Sequence, residues 1–130
     1  MLAGCLALLA LSGCSLGADK ETTPVRGAPR QVMVAVQRLE AASRRQDWRT
    51  VCTRLFTRSA RRRAGGSDCE RRLRSYGQGL RRPQIRLLAI VVAGDRASVR
   101  VRSTAAGQPP LVDTIELRRV DRAYRIDALD

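Results

Sequence analysis

The sequence contains no histidine, few aromatic residues and a single lysine, and these shortages exclude several classes of function. Without histidine, the chain cannot form a Ser-His-Asp triad, and a cysteine nucleophile would lack its usual imidazole base. Aromatic residues make up only 3% of the chain, too few for a nucleic-acid stacking platform. No Gly-rich phosphate loop and no carboxylate cluster suited to a metal occurs either. We therefore expect no cofactor, no metal and no enzymatic activity.

Positive charge is what the sequence has in excess. Its 25 basic residues, all arginine except Lys20, oppose 12 acidic residues and give a net charge of +13. A charge of this size favours a polyanionic partner. Because the arginines are interleaved with apolar positions of helical spacing, we expect no nucleic acid. Anionic lipid, an anionic wall polymer or an acidic protein are the partners left open.

The N-terminal residues 1–13 carry no charge and are mostly apolar. A transmembrane helix needs about 20 apolar residues, so this run is too short to span a bilayer. It fits the apolar region of a secretory signal peptide, and a buried core helix over residues 2–13 is the alternative.

The end of this run, Leu11-Ser12-Gly13-Cys14, resembles the lipobox of bacterial lipoproteins. The resemblance implies that Cys14 receives a diacylglycerol and becomes the N-terminal residue after cleavage. The basic residues that usually precede the apolar run are missing, so we expect the natural start to lie upstream of Met1. Residues 14–29 contain two prolines and two glycines without apolar periodicity, which predicts a flexible tether. The protein is thus expected on the extracytoplasmic face of the cell membrane.

Four cysteines occur in the chain, and lipoprotein processing would leave two of them. Cys5 would depart with the signal peptide and Cys14 would carry the lipid, so Cys52 and Cys69 remain in an oxidising compartment. Each lies on the apolar side of a predicted helix, and we predict a disulfide between them. Two buried free thiols are the alternative expected for a cytosolic protein. A zinc site is not expected, since the pair lacks Cys-x-x-Cys spacing.

Residues 30–130 are predicted to form one α+β domain, with helices first and strands after. The helices are predicted over about 30–45, over 48–62 behind an Asp47 N-cap, and from a Ser67–Glu70 capping box to Gly77. The apolar period then changes to two, which predicts four strands. These strands are predicted at 84–93, 97–102, 111–120 and 123–127. Helices followed by an antiparallel meander pack on one face of the sheet.

Three stretches of this domain resemble the nuclear transport factor 2-like (NTF2-like, SnoaL-like) superfamily, especially small domains of actinobacterial lipoproteins. They are the Asp47-Trp48 helix start with Cys52 and Cys69, the hairpin Gly-Asp-Arg-Ala-Ser-Val-Arg-Val at 94–101, and the closing Arg-Ala-Tyr-Arg-Ile-Asp at 122–127. The resemblance implies three helices packed on a curved four-stranded antiparallel sheet. Such a cone often encloses a pocket between its helices and its sheet.

Some members of that superfamily use an aspartate as general base together with a tyrosine donor, and Asp113 and Tyr76 are the conceivable counterparts here. The residues themselves suggest plainer roles. Asp113 lies near a strand start, where it is expected to meet solvent or an arginine, and Tyr76 is expected in the core with its hydroxyl at the surface. A pocket enzyme or small-ligand carrier therefore stays the alternative to a non-enzymatic binding or accessory module at the membrane.

A second candidate site is the basic stretch from Arg54 to Arg82, which covers much of the second and third predicted helices and holds only two acidic residues, Asp68 and Glu70. One interpretation is a solvated outer face, and the other is a surface that lies on anionic lipid or docks an acidic partner. Its ten arginines are Arg54, Arg58, Arg61, Arg62, Arg63, Arg71, Arg72, Arg74, Arg81 and Arg82.

Overall fold

The computed structural model describes residues 26–130, so the predicted signal segment, Cys14 and nearly all of the predicted tether lie outside the described residues. Within this range, α-helical segments precede a four-stranded antiparallel sheet, and the α+β prediction is confirmed. None of the helices described is long and apolar enough to cross a membrane. The helical segments are α1 (Gly27–Arg44), α2 (Trp48–Thr50), α3 (Arg58–Arg63) and α4 (Cys69–Gly77), and the strands are β1 (Gln84–Ala93), β2 (Arg96–Thr104), β3 (Leu111–Val120) and β4 (Ala123–Leu129).

The first helix, α1, begins at Gly27, three residues before the predicted start. Pro29 lies in its first turn, where a missing backbone N–H breaks no helical hydrogen bond. Glu40 ties α1 to the sheet edge, because its carboxylate accepts a hydrogen bond from the Ile85 N–H at 2.6 Å. The helix packs on the sheet through a buried stripe at helical spacing, formed by Val32, Ala35, Val36, Leu39 and Ala42.

The prediction of one helix over 48–62 is wrong. After α2 the chain widens into a π-helical segment, Val51–Leu55, and Phe56 then adopts an extended conformation. Phe56 forms a parallel bridge with Ile126 of β4, and the Thr57 N–H donates to the Ile126 carbonyl at 2.8 Å. The chain becomes helical again in α3, which Thr57 caps by accepting a hydrogen bond from the Ala60 N–H. Pairing with β4 therefore interrupts a stretch whose apolar spacing is helical throughout.

The predicted Ser67–Glu70 capping box is wrong as well. Gly65 and Gly66 take φ values of +117° and +61°, and Gly66–Asp68 forms a short 3-10 turn before α4. The N-cap of α4 is Asp68, whose side chain makes no capping hydrogen bond. Its carboxylate instead pairs with Arg71 at 2.9 Å, so the acidic residues at this helix start act on side chains of α4.

The sheet is a meander in the order β1-β2-β3-β4, with every neighbouring pair antiparallel. Register shifts place an extra residue, Leu88 in β1 and Asp127 in β4. Such bulges increase the local twist and curve a sheet. The bulge at Leu88 also changes which residues of β1 face the helices, so Leu88 and Val91 are 47% and 64% exposed.

The core lies between α1, the segments that follow it and the inner face of the sheet. Its fully buried side chains include Val36, Val99, Leu117 and Ile126. The predicted disulfide is present: Cys52 and Cys69 are both buried and joined at an S–S distance of 1.99 Å. It fastens the π-helical segment to the first residue of α4.

Candidate functional site

A cavity of about 390 Å³ lies between the concave face of the sheet and the helical segments. Val101 and Ile115 of the sheet form its floor, and Leu39, Trp48 and Phe56 form much of its helical wall. Its walls are therefore predominantly apolar. Polar side chains also line it, namely Ser43, Tyr76, Ser103, Asp113 and Asp130.

The N-cap at Asp47 sets the position of Trp48, the only tryptophan of the chain. The Asp47 carboxylate accepts hydrogen bonds from the Thr50 N–H at 3.1 Å and from the Thr50 hydroxyl at 2.7 Å. The hydroxyl bond first, and then the backbone bond, lower the pKa of Asp47 below its ordinary value. The predicted N-cap is thus confirmed, and it holds the indole of Trp48 in the cavity wall.

The C-terminal turn of α4 closes part of the cavity, and it can do so because residue 77 is glycine. A Cβ on Gly77 would collide with the Trp48 ring at Cζ2. Gly77 therefore allows α4 to pack directly against the indole, which also leaves Leu73 and Tyr76 lining the cavity. The Cys52–Cys69 disulfide fixes the other end of the same helix.

The structure brings both residues of the predicted pocket, Tyr76 and Asp113, to the cavity lining. Tyr76 is 80% exposed, so its prediction as a core residue is wrong. It lies on the exposed side of α4, at the cavity mouth. Asp113 is half-buried and faces Val101 across the β2–β3 ladder. Among the hydrogen bonds of residues 26–130, none joins Tyr76 to Asp113, and Asp113 makes no salt bridge there.

The cavity has the size and the lining of a small-molecule site. Ligand pockets typically enclose about 300–1,000 Å³, with apolar walls and a few polar groups that orient the ligand. Acidic and hydroxyl side chains supply those polar groups here, and they favour a ligand whose polar end donates hydrogen bonds. Within the part of the chain that the structure describes, no group of three or more Cys, Asp or Glu side chains could hold a metal ion.

All ten arginines of the predicted basic surface are exposed, but they do not form one surface. Arg71 pairs with Asp68 at the N-cap of α4, and Arg74 pairs with Glu70 in its first turn. Arg63 donates to the Ser59 hydroxyl and to the Asp127 carbonyl. Arg54 lies elsewhere, in a cleft with four arginines that do not belong to the predicted basic surface. Those four residues are Arg30, Arg38, Arg122 and Arg125.

No family model matches this chain, and no curated protein matches it in sequence. Solved structures share its fold. A candidate dehydratase of the NTF2-like family from Streptomyces avermitilis has a TM-score of 0.55 at 17% identity, covering 78% of this chain and 92% of that one. A de novo designed protein with a curved β-sheet has a TM-score of 0.55 at 15% identity, covering 75% and 95%. A SEC-C motif containing protein from Rhodopseudomonas palustris has a TM-score of 0.54 at 16% identity, covering 74% of each chain. The chain therefore has an NTF2-like α+β fold, as predicted.

Proposed function

We propose that this chain is a non-enzymatic binding module that holds a small, largely apolar molecule in its cavity and is anchored to the extracytoplasmic face of the membrane through a lipid on Cys14. The observation that carries the ligand proposal is the open apolar cavity of about 390 Å³. Because the cavity is open, its apolar walls are accessible to water, and an apolar ligand that covers them would be stabilised by the hydrophobic effect. The anchor is supported by the sequence Leu11-Ser12-Gly13-Cys14.

The fluorescence of Trp48 offers a direct test of ligand binding, because this single tryptophan lines the cavity. We expect 1-decanol to change the Trp48 emission saturably, and to bind more tightly than decanoate, whose carboxylate would meet Asp113 and Asp130.

A matched pair of variants on β2 shows whether the probe occupies the cavity. Ser103→Phe would fill the cavity from its floor and should weaken decanol binding at least tenfold. Thr104→Phe adds the same ring to the next residue, which does not line the cavity, and should leave the affinity within about twofold. Equal loss in both variants, or no saturable response in the wild type, would contradict the ligand proposal.

The anchor is tested separately, by feeding cells radiolabelled palmitate and fractionating their membranes. We expect the wild type to take up label and to sediment with membranes, and the Cys14→Ser variant to do neither. A wild type that stays unlabelled in the cytosol would overturn the anchor but leave the cavity proposal standing.

A second candidate function is proton-transfer catalysis in the same cavity, favoured because both Tyr76 and Asp113 line it. An aspartate base would exchange an acidic C–H proton of its substrate with solvent. We therefore propose incubating the protein in D₂O with small molecules extracted from the membranes of the cells that produce it. Mass spectrometry then compares the deuterium content of these molecules after incubation with the wild type and with Asp113→Asn. A binding module leaves both samples equally labelled, whereas an enzyme incorporates deuterium only when Asp113 is present.

A further inference from the structure

On the side of the domain away from the cavity mouth, five arginines converge on one cleft of about 450 Å³. They come from three separate parts of the fold: Arg30 and Arg38 from α1, Arg54 from the π-helical segment, and Arg122 and Arg125 from the β3–β4 turn and β4. No acidic residue lines the cleft. Within residues 26–130, none of the five guanidinium groups forms a salt bridge or a side-chain hydrogen bond.

Five like charges around one cleft repel one another, and Asp47, outside the cleft lining, is the acidic residue that interacts with Arg54. Nothing in the local sequence requires this convergence, since the five arginines are spread from position 30 to position 125. An anion bound among them would turn this repulsion into attraction. A neighbouring arginine-rich groove, which shares Arg125 with the cleft, differs in this respect because Asp121 and Asp127 also line it.

The backbone at the cleft is unusual at two of its arginines. Arg122 takes a left-handed φ of +70°, in a two-residue turn where asparagine and glycine are the favoured residues. Arg54 belongs to a π-helical segment, a rare conformation that recurs at functional sites. Residues held in sparsely populated backbone regions often lie at binding or catalytic sites. Two of the five arginines therefore project from unusual backbone.

The chemistry of the cleft indicates the class of ligand. Guanidinium groups bind phosphate oxygens through paired, charge-assisted hydrogen bonds, and several of them around one cleft suit a group with more than one negative charge. Apart from Gln31, the lining between the arginines is formed by Val34, Ala35, Leu55, Ala123 and Tyr124 and is largely apolar. Apolar lining beneath a basic rim fits a phosphate that carries an organic portion.

We propose that this arginine cleft is a binding site for the phosphate group of an organic phosphate ester, distinct from the cavity that holds the apolar ligand. The phosphate is presented either by an anionic phospholipid headgroup or by a soluble organic phosphate. In the first case the cleft would orient the domain on the membrane surface, and in the second it would be a ligand site in its own right.

The test compares two triple variants of the full chain in a Cys14→Ser background, each with three fewer positive charges. The cleft variant is Arg38→Gln, Arg54→Gln and Arg122→Gln. The control variant is Arg86→Gln, Arg100→Gln and Arg102→Gln, which removes exposed arginines from the outer side of β1 and β2. The probes are inorganic pyrophosphate, followed by calorimetry, and phosphatidylcholine vesicles with or without phosphatidylglycerol, followed by cosedimentation.

We expect the cleft variant to bind at least one probe at least tenfold more weakly than the parent, and the control variant to stay within about threefold. If the cleft variant loses binding only to the vesicles that contain phosphatidylglycerol, the ligand is a lipid headgroup. If it loses binding to pyrophosphate, the ligand is a soluble phosphate. Equal weakening in both variants would mean that net charge is responsible and would overturn the proposal, as would a parent that binds neither probe. Unchanged decanol binding by the cleft variant shows that it is folded and separates this test from that of the cavity.

Discussion

The helical half and the sheet half of this domain are held together by different kinds of contact. Each strand of the sheet pairs with the next strand along the chain. The segments after α1 are instead fixed by contacts between distant residues, such as the disulfide between Cys52 and Cys69 and the 2.7 Å hydrogen bond from Thr57 to Asp127. Because one wall of the cavity belongs to each half, the cavity can be opened by loosening the helical contacts while the sheet stays paired.

The disulfide should have the largest effect of any single contact in the helical half. It closes a loop of 17 residues, for which the chain-entropy relation gives about 3 kcal/mol. We expect Cys52→Ala with Cys69→Ala to lower the free energy of unfolding by that amount, measured by urea denaturation, and to weaken decanol binding because α4 is released.

Reduction with dithiothreitol serves as the control for the disulfide. It should reproduce the loss of stability in the wild type and have no effect on the double variant. If the double variant unfolds at the same urea concentration as the wild type, the disulfide does not hold the helical half in place.

The contact between α4 and Trp48 should make the next largest contribution to the free energy of unfolding. Gly77→Ala places a Cβ against the indole, and overpacking of this kind costs about 1–3 kcal/mol. Gly79→Ala is the matched control, since a Cβ there meets nothing within 4 Å. Thermal unfolding monitored by circular dichroism should separate the two variants by several degrees. Two equal melting temperatures would show that α4 does not pack on Trp48 as closely as described.

The connection between α3 and β4 should be weaker still. Thr57→Val keeps the shape of the side chain but removes the N-cap to Ala60 and the hydrogen bond to Asp127, a loss of about 1–2 kcal/mol. Thr53→Val, at an exposed residue, should change the free energy of unfolding by less than about 0.5 kcal/mol. If the Thr57 variant is as stable as the Thr53 variant, the hydrogen bonds of Thr57 do not stabilise the connection between α3 and β4.

Protonation of the Asp47 carboxylate in acid should have the smallest effect on the free energy of unfolding. The pKa of Asp47 is lowered in the folded state, so its contribution to stability is present above its ordinary value of 3.8 and is lost as the pH falls through the lower, folded value. The stability difference between the wild type and Asp47→Asn, measured by urea denaturation, should therefore shrink as the pH falls below about 4. A difference that is independent of pH would mean that the Asp47 carboxylate makes no contribution through its charge.

The two halves also differ in how far the sequence predicts them. The strands follow from alternation that each strand carries within itself, such as Ala97, Val99 and Val101 against the polar residues between them. Their predicted ends agree with the structure within two residues. The segment 48–62 was predicted wrongly because the extended conformation of Phe56 depends on Ile126, a residue 70 positions away. A local pattern cannot contain that information.

The candidate sites likewise divide into features that the local sequence predicts and features that depend on residues distant in the chain. The disulfide was predictable because only two cysteines remain once the N-terminal ones are assigned, and both lie on apolar faces. Asp113 was expected to meet solvent or an arginine near the start of β3, and it is half-buried in the cavity lining. Tyr76 was expected in the core, but it is exposed because the last turn of α4 faces the cavity mouth. The arginine cleft could not be found from the sequence, since its members are adjacent only after folding.

Titration of Trp48 fluorescence with 1-decanol asks whether the cavity between the two halves binds a ligand. We expect a saturable change in emission, with an affinity that Ser103→Phe lowers at least tenfold and that Thr104→Phe leaves within about twofold. Emission that does not respond to decanol, or that responds equally in both variants, would contradict ligand binding in the cavity.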